Sequence, residues 1–209
     1  MEEPVRRSRV DREHPIGGQM SEVALGLFRR LQLTYLTERY SSVVVLAAFS
    51  LINGFISIAL MALAAVVTRA PFVFPSLGPT AFLFFYTPMA ATAAPRNAFI
   101  GHLIGAAMGY LALVLFGLTD AGPAFATGVD LPRVMAAALS LGLTSALMVL
   151  CRAPHPPAGA TTLIISLGIL TQPWQLGVLM LAVVLLTVQA FVINRLAGLP
   201  YPLWAPRAP

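Results

Sequence analysis

Two short stretches place arginine, proline, glycine and threonine in the middle of an otherwise apolar chain. The first is RAPFVFPSLGPT, residues 69–80, and the second is RAPHPPAGAT, residues 152–161. Both begin with Arg-Ala-Pro and end in Pro-x-x-Gly-x-Thr, which aligns Pro75, Gly78 and Thr80 with Pro156, Gly159 and Thr161. This ordered recurrence predicts a duplication whose two copies meet at one site.

The chemistry that these stretches predict is the binding of a small anion at two helix starts. Proline ends a regular helix but fits the first turn of a new one. The first N–H groups of a helix lack partners, and the helix start carries about half a positive charge. Inside a membrane such donors must be satisfied by protein, water or ligand.

The glycines and threonines of the two stretches extend this prediction. Glycine after each proline would allow a close backbone approach, and the threonine hydroxyls can donate to an anion or cap the helix. The predicted substrate-binding residues are Pro75, Ser76, Leu77, Gly78 and Thr80 from the first stretch, and His155, Pro156, Pro157, Ala158, Gly159 and Thr161 from the second.

Structural interpretations stand beside the functional one. Prolines and threonines also kink and cap membrane helices without binding anything. His155 fits a proton-coupled group, a hydrogen-bond donor to substrate, or an interfacial residue. Four polar residues in or near the spans are interpreted as interhelical hydrogen-bonding residues rather than ligand contacts: Asn53, Asn97, His102 and Gln189.

Composition identifies a multi-pass integral membrane protein. The chain is 58% apolar and 10% charged, with a mean hydropathy of +0.82, whereas soluble domains carry about 25% charged residues. Residues 41–68 hold no charge over more than the roughly 20 residues that cross a bilayer. We expect a bacterial inner (plasma) membrane location, contact with the lipid bilayer, and no nucleic-acid partner.

Charged residues and cysteine further limit the chemistry. Seven of the thirteen arginines precede residue 40, mixed with six acidic residues, which is typical of a cytoplasmic lead under the positive-inside bias. The lone Cys151 excludes an internal disulfide and cannot build a metal site alone. No cofactor or metal is expected, and no enzyme motif appears.

The order of elements predicts an all-α membrane protein with six membrane segments, arranged as an inverted 3+3 repeat with two short broken helices. A lead, residues 1–40, contains an interfacial helix at 21–36. Repeat 1 spans 41–118, a connecting loop 119–132, repeat 2 133–196, and a C-terminal tail 197–209. Long spans are expected at 41–68, 98–118, 133–151 and 174–194. Three segments per repeat is an odd number, so the second copy enters from the opposite side.

The short helices are expected to begin inside the membrane. From each glycine to the next break, about 14 to 16 residues would give about 21 to 24 Å of helix, less than the roughly 30 Å apolar core. The extended proline-rich piece would supply the missing length. The four-crossing alternative, with re-entrant short segments, would leave Arg69, Arg96 and Arg152 outside. Six crossings leave only Arg69 and Arg133 there, which favours six.

Gly101, Gly105 and Gly109 recur every fourth residue and predict a flat face that packs against another helix. The neighbour lies either within the protomer or in a second copy, and a homodimer is one expectation.

The motifs also resemble those of the HPP family of integral membrane proteins. The resemblance rests on His155-Pro156-Pro157 followed by Ala158-Gly159-Ala160-Thr161, on Pro75-Ser76-Leu77-Gly78-Pro79-Thr80, and on Pro95-Arg96-Asn97 leading to Gly101-His102. It covers nearly everything from residue 40 to 195. The family is usually described with four membrane helices, a count that treats the short segments as loops.

Because members of this family in cyanobacteria and plant plastids are associated with nitrite transport, the resemblance implies a transporter for nitrite or a similar small inorganic anion. The alternatives are a membrane-embedded enzyme that uses His155 or His102 as a base, and a non-transporting sensor or scaffold. The enzyme lacks a nucleophile or metal partner at recognisable spacing.

Overall fold

The computed structural model describes residues 32–206, and these residues fold into helices joined by short turns and extended segments. The helices are α1 (Leu33–Arg39), α2 (Ser42–Thr68), α3 (Leu77–Tyr86), α4 (Pro95–Leu115), α5 (Ala124–Thr127), α6 (Leu131–Leu150), α7 (Pro157–Ser166) and α8 (Pro173–Leu196), with a 3-10 turn at Ala91–Ala93. The interfacial helix predicted at 21–36 lies mostly outside the described residues.

Four of these helices, α2, α4, α6 and α8, are long and apolar enough to cross a membrane. They correspond to the four predicted long spans, with ends that differ by a few residues. Three begin earlier than predicted, at Pro95, Leu131 and Pro173, because proline occupies the first helical turn where its missing N–H costs nothing. The described chain is therefore an all-helical membrane protein with several spanning helices.

The two short helices, α3 and α7, have ten residues each, or about 15 Å at 1.5 Å per residue. The prediction that they continue to the next chain break is wrong. Helix α3 ends at Tyr86 and α7 at Ser166, and turns without regular helix lead from there to Pro95 and Pro173. The turns that follow the short helices therefore take the place of their expected final residues.

The backbone repeats closely where the two halves enter their proline-rich segments. Arg69, directly after α2, and Arg152, directly after the α6 cap, both adopt left-handed conformations, with φ of 56° and 49°. Non-glycine residues rarely adopt this conformation. Each long helix thus ends at the arginine of its Arg-Ala-Pro motif and is followed by an extended piece and a ten-residue helix.

One edge of the bundle, here called the tail edge, gathers the start of α4, the end of α6 and the end of α8. The Arg96 guanidinium donates to the carbonyls of Cys151 and Arg152, and the Arg96 N–H donates to the Trp204 carbonyl. The N–H of Leu33, at the start of α1, donates to the Ala197 carbonyl just after α8.

The other edge, here called the loop edge, joins the start of α6 to the end of α7. Arg133 is 2% exposed and donates to the carbonyls of Ser166 and Gly122. The Arg133 backbone N–H donates to the Asp130 carboxylate, while the guanidinium itself is buried. Helix α7 therefore runs from the tail edge towards the loop edge.

Helix α3 runs the other way. The Asn194 amide, near the end of α8, donates to the Phe84 carbonyl near the end of α3, so α3 ends towards the tail edge. Helices α3 and α7 are therefore antiparallel, and the first residue of each, Leu77 and Pro157, is buried.

The glycine face of α4 packs against α7 within the same chain. A Cβ at Gly105 would lie 2.6 Å from the Ala158 carbonyl oxygen, and one at Gly109 would lie 2.8 Å from the Thr162 carbonyl oxygen. The predicted packing role of these glycines is confirmed. Of the two neighbours left open by the sequence, a helix of the same protomer is the one observed.

Candidate functional site

A buried polar cluster occupies the place where the two short helices pass each other. It consists of Thr80 on α3, His102 on α4, His155 just before α7, and Thr161 on α7, and all four are fully buried. We call it the histidine cluster. Because its members come from both halves of the chain, the two proline-rich stretches do meet at one place.

His102 bridges the two threonines that the sequence pattern pairs. Its Nε2 lies 2.9 Å from Thr80 Oγ1, and its Nδ1 lies 2.7 Å from Thr161 Oγ1. The two imidazole rings lie 4.9 Å apart between centroids, and His155 Nε2 is 3.1 Å from the same Thr80 oxygen. The Thr80 hydroxyl is therefore shared by both histidines.

The hydrogen-bond partners fix the direction of donation when both rings are neutral. His155 Nδ1 lies 2.8 Å from the Thr92 carbonyl oxygen, which only accepts, so Nδ1 carries the hydrogen. A neutral ring then accepts at Nε2, and the Thr80 hydroxyl donates to it. The Thr80 oxygen accepts from His102 Nε2, and His102 Nδ1 accepts from the Thr161 hydroxyl. This arrangement satisfies every polar atom in the chain of bonds from Thr161 to Thr92.

The turn that holds the Thr92 carbonyl is fixed by the C-terminal segment. The buried Tyr201 hydroxyl donates to the carbonyl of Ala93, the next residue. Burial raises the pKa of Tyr201, which keeps its hydroxyl protonated as a donor. The position of His155 thus depends on contacts with the first half of the chain and, through them, with the tail.

The backbone donors at the short-helix starts are largely used, contrary to the expectation of free N–H groups. At α7, Pro156 and Pro157 have no N–H, and the N–H groups of Ala158 and Gly159 donate to the carbonyls of His155 and Pro156. At α3, Leu77 donates to the Phe74 carbonyl, and Pro79 has no N–H. Only Gly78 among the first three residues of α3 can offer a backbone donor. Side chains must therefore supply most of the donors to any anion.

The two aligned stretches have similar patterns of burial. Thr80 and Thr161 are buried, as are the two residues after each first proline, namely Ser76 with Leu77 and Pro157 with Ala158. Pro75 and Pro156 are both exposed. The predicted binding residues thus divide into an inward set around the threonines and an outward set around the prolines.

The close backbone approach expected at Gly78 and Gly159 is wrong. A Cβ at Gly78 would meet nothing within 4 Å, and one at Gly159 would meet only the end of the Leu141 side chain. The close approaches occur on α4 instead, where a Cβ at Gly101 would lie 2.8 Å from His155 Cβ. Gly101 therefore leaves the space in which the His155 side chain lies.

His102 is the residue that sequence reasoning left out of the site. Its prediction as an interhelical hydrogen-bonding residue is confirmed by the contact with Thr161, but its central position is not visible in one span considered alone. The signal was its place directly after Gly101, on a helix whose glycine face packs against the second proline-rich segment.

The other polar residues of the spans have local roles or no partner. Asn53 donates to the Phe49 carbonyl of its own helix, so its predicted interhelical bond is wrong. Asn97 donates to the Ala91 carbonyl and accepts from Arg96, whereas Gln189 Oε1 is buried without a hydrogen-bond partner. The Ser76 hydroxyl, at the start of α3, is likewise buried without a partner.

A groove of about 360 Å³ reaches His155 from the side of α6. Its walls come from the segment around Pro154, Pro156 and Gly159 and from α6, including Leu141 and Ser145. Within residues 32–206, no group of three or more histidine, cysteine, aspartate or glutamate side chains is placed to hold a metal ion.

Comparison with known proteins identifies a family. The family model described as HPP, transmembrane region, matches residues 40–202. Two transmembrane proteins of Dictyostelium discoideum are similar: one is 30% identical over 135 residues, which cover 62% of this chain and 44% of the relative. The other is 31% identical over 120 residues, which cover 56% and 35%. This chain therefore matches less than half the length of either relative. No solved structure matches significantly.

Proposed function

On the premise that the chain belongs to the HPP family of transmembrane proteins, we propose that it carries a small monovalent anion across the membrane through the histidine cluster. Nitrite is the lead substrate, because the family resemblance implies it. The observation that carries the proposal is the double contact of His102 with Thr80 and Thr161, one threonine from each proline-rich stretch.

The histidine cluster buries two ionisable side chains between the helices. Because burial of a polar group costs free energy unless the group is hydrogen-bonded, the bonds of the cluster are what allow both rings to be buried. Ionisable residues within membrane segments characteristically line substrate or proton pathways. The partnerless Ser76 hydroxyl at the start of α3 offers a further donor beside Thr80.

We also propose that all six segments cross the membrane as two inverted sets of three. The opposite directions of α3 and α7 support this arrangement, as does the path of the second short segment from the Arg96 contacts at the tail edge to the Arg133 contacts at the loop edge. The three extended residues 153–155 and the ten of α7 together cover about 25 Å, most of the roughly 30 Å apolar core.

An inverted pair of broken helices is a recurring way to build a substrate site at the membrane midplane. The chain provides no fixed cation in the histidine cluster, which suits a substrate that must be released again. The expected bacterial inner-membrane location and the homodimer stay predictions.

Uptake of an anion panel into proteoliposomes tests the proposal. Purified protein would be reconstituted and assayed with nitrite, nitrate, formate, chloride and sulfate, with protein-free liposomes as the baseline. We expect uptake of nitrite or another small monovalent anion well above baseline, and no uptake of the divalent sulfate. Uptake at baseline for every anion would contradict transport and leave the enzyme and scaffold alternatives.

The inverted arrangement has its own test. Single cysteines at Thr127, in the loop between the halves, and at Ala205, in the tail, would be introduced into a Cys151→Ala background. A membrane-impermeant thiol reagent should reach them from opposite faces. Labelling of both from the same face would contradict six crossings.

A further inference from the structure

The Thr80 hydroxyl has two acceptors within reach, and this choice is the basis of a further inference. Its oxygen lies 3.1 Å from His155 Nε2 and 2.9 Å from the Ser76 carbonyl oxygen of its own helix turn. A hydroxyl has one hydrogen to donate. It can therefore satisfy His155 or Ser76 at any moment, but not both.

Each choice corresponds to one protonation state of His155. When Thr80 donates to His155, that ring is neutral, with its hydrogen on Nδ1 towards Thr92. When Thr80 turns to the Ser76 carbonyl, its oxygen is free to accept from a hydrogen on His155 Nε2, and the ring carries hydrogens on both nitrogens. The heavy atoms occupy the same positions in both arrangements, and every hydrogen bond of His155 is retained.

His102 does not have this freedom. With hydrogens on both of its nitrogens, it would donate to Thr161 Oγ1, and the Thr161 hydroxyl would have to find another acceptor. His102 Nδ1 is the acceptor observed for that hydroxyl among the described residues. The cluster is therefore arranged to receive its extra proton on His155.

Among the described residues, no arginine lines the groove that reaches His155. The titratable groups on the elements around it are His102 and Tyr110 on α4, Tyr86 on α3, Arg133 on α6 and Tyr201 in the tail. Arg96, also on α4, directs its guanidinium to carbonyls at the end of α6.

The segment of His155 itself carries Cys151 and Arg152, which are both exposed. Of all these groups, His102 is the one whose ring contacts His155. The described parts of these surrounding elements contain no carboxylate apart from Asp130 at the start of α6, which bonds to the Arg133 backbone.

We propose that His155 takes up one proton with each anion, which makes the protein an electroneutral proton–anion symporter. This inference rests on the proposed function. A proton from water on the entry side binds His155 Nε2 as Thr80 turns to Ser76, and the anion lies against the resulting imidazolium from the groove that His155 lines. On the exit side the anion leaves, Nε2 returns its proton to water, and Thr80 turns back.

Two physical reasons favour this coupling. Prolines remove some backbone donors at the starts of the short helices and nearby carbonyls occupy others, so a neutral cluster offers an anion little. A buried ion also needs a partner of opposite charge, and protonation of His155 supplies one only when the anion is present. Binding of the proton and binding of the anion therefore favour each other, as reciprocal linkage requires.

Lumenal pH in proteoliposomes tests the inference with nitrite as the probe. Vesicles containing a trapped pH-sensitive dye would hold equal potassium inside and outside with valinomycin, which fixes the membrane potential at zero. Added nitrite should acidify the lumen, and the initial rate of acidification is measured. The rate of protein-free vesicles is subtracted, because nitrous acid crosses lipid unaided. Nitrite entry would be measured in parallel. We expect about one proton per nitrite, and an unchanged nitrite rate when potassium gradients set a potential of either sign.

Variants locate the proton. His155→Gln and Thr80→Val should each lose at least nine-tenths of the protein-dependent acidification, whereas Cys151→Ala, an exposed change four residues away, should keep the wild-type value. Size-exclusion and melting profiles identify any variant that fails to fold. Since the two changes affect different helices, one folded variant is enough for the test.

The outcomes separate this inference from the proposed function. Nitrite entry that follows the membrane potential without acidification would overturn proton coupling and leave anion transport standing. Acidification that persists in a folded His155→Gln protein would overturn the role of His155. If none of the anions in the panel entered above the protein-free rate, anion transport itself would fail, and coupling would fail with it.

Discussion

The second long helix of each half, α4 and α8, packs against the opposite half in very different ways. Helix α4 lies with its glycines against α7, so closely that a methyl group at Gly105 would touch the backbone. On α8, a methyl group at Gly177 would have nothing within 4 Å. The two halves therefore have the same order of long and short helices, but α4 is packed more tightly at its glycine than α8 is.

The polar side chains follow the same division. His102, His155 and Thr161 all belong to the densely packed α4–α7 pair, and Thr80 reaches them from α3. At the position of His155, directly before the first proline of the Pro-x-x-Gly-x-Thr motif, the first half has the buried apolar Phe74. The two histidines of the cluster thus lie on the α4–α7 side only, and α3 contributes the hydroxyl that both histidines share.

Gly105→Ala compared with Gly177→Ala tests the packing difference most strongly. At Gly105 the added methyl group meets the Ala158 carbonyl, so we expect a loss of about 1 to 3 kcal/mol, as overpacked interiors show. Gly177→Ala should leave stability unchanged or raise it by about 0.5 to 1 kcal/mol, because glycine is unfavourable within a helix. Thermal unfolding in one detergent would measure both. Equal effects would contradict the asymmetry.

A double-mutant cycle on Thr80 and Thr161 tests the bridge between the halves. Thr161→Val removes one hydrogen bond to His102, and Thr80→Val removes its bonds to His102 and His155, at about 1 kcal/mol per bond. Because both threonines bond to the His102 ring, the double mutant should depart from additivity by about 0.5 kcal/mol or more. Strictly additive losses would mean that each hydroxyl acts within its own helix only. The unfolding free energies of the three variants decide the point.

The smallest effect concerns the backbone that the halves share. Left-handed backbone geometry costs a non-glycine residue about 1 to 2 kcal/mol. Glycine avoids this cost, but it loses more conformational entropy on folding, which cancels part of the gain. Arg69→Gly and Arg152→Gly should therefore each raise stability by less than about 1 kcal/mol, and by similar amounts. A gain at one position with a clear loss at the other would show that only one half has the proposed turn.

The sequence predicted the four long helices, the two interruptions and the meeting of Thr80 with Thr161, because these follow from hydropathy and from a duplicated motif. It did not predict the length of the short helices. Both stops are nevertheless marked by ordinary helix-ending residues. Pro88 lies two residues after Tyr86, and Gly168, with a φ of 81°, lies two residues after Ser166.

The central role of His102 was also beyond the sequence pattern. One span considered alone does not indicate which residues of the opposite half it contacts, and that depends on which glycine face packs on which helix. For the same reason, the sequence predicted a close backbone approach at Gly78 and Gly159, whereas the structure has it at the glycines of α4. Contacts between distant segments decided both points.

The protonation state of His155 with and without anion is the most direct test of the account. ¹⁵N NMR of histidine-labelled protein distinguishes a neutral imidazole with its hydrogen on Nδ1 from a ring protonated on both nitrogens. A His14→Gln background would leave the two histidines of the cluster. At neutral pH we predict a neutral, Nδ1-protonated His155 that becomes doubly protonated when nitrite is added, with His102 neutral throughout. Two neutral rings at a nitrite concentration that saturates transport would contradict the account.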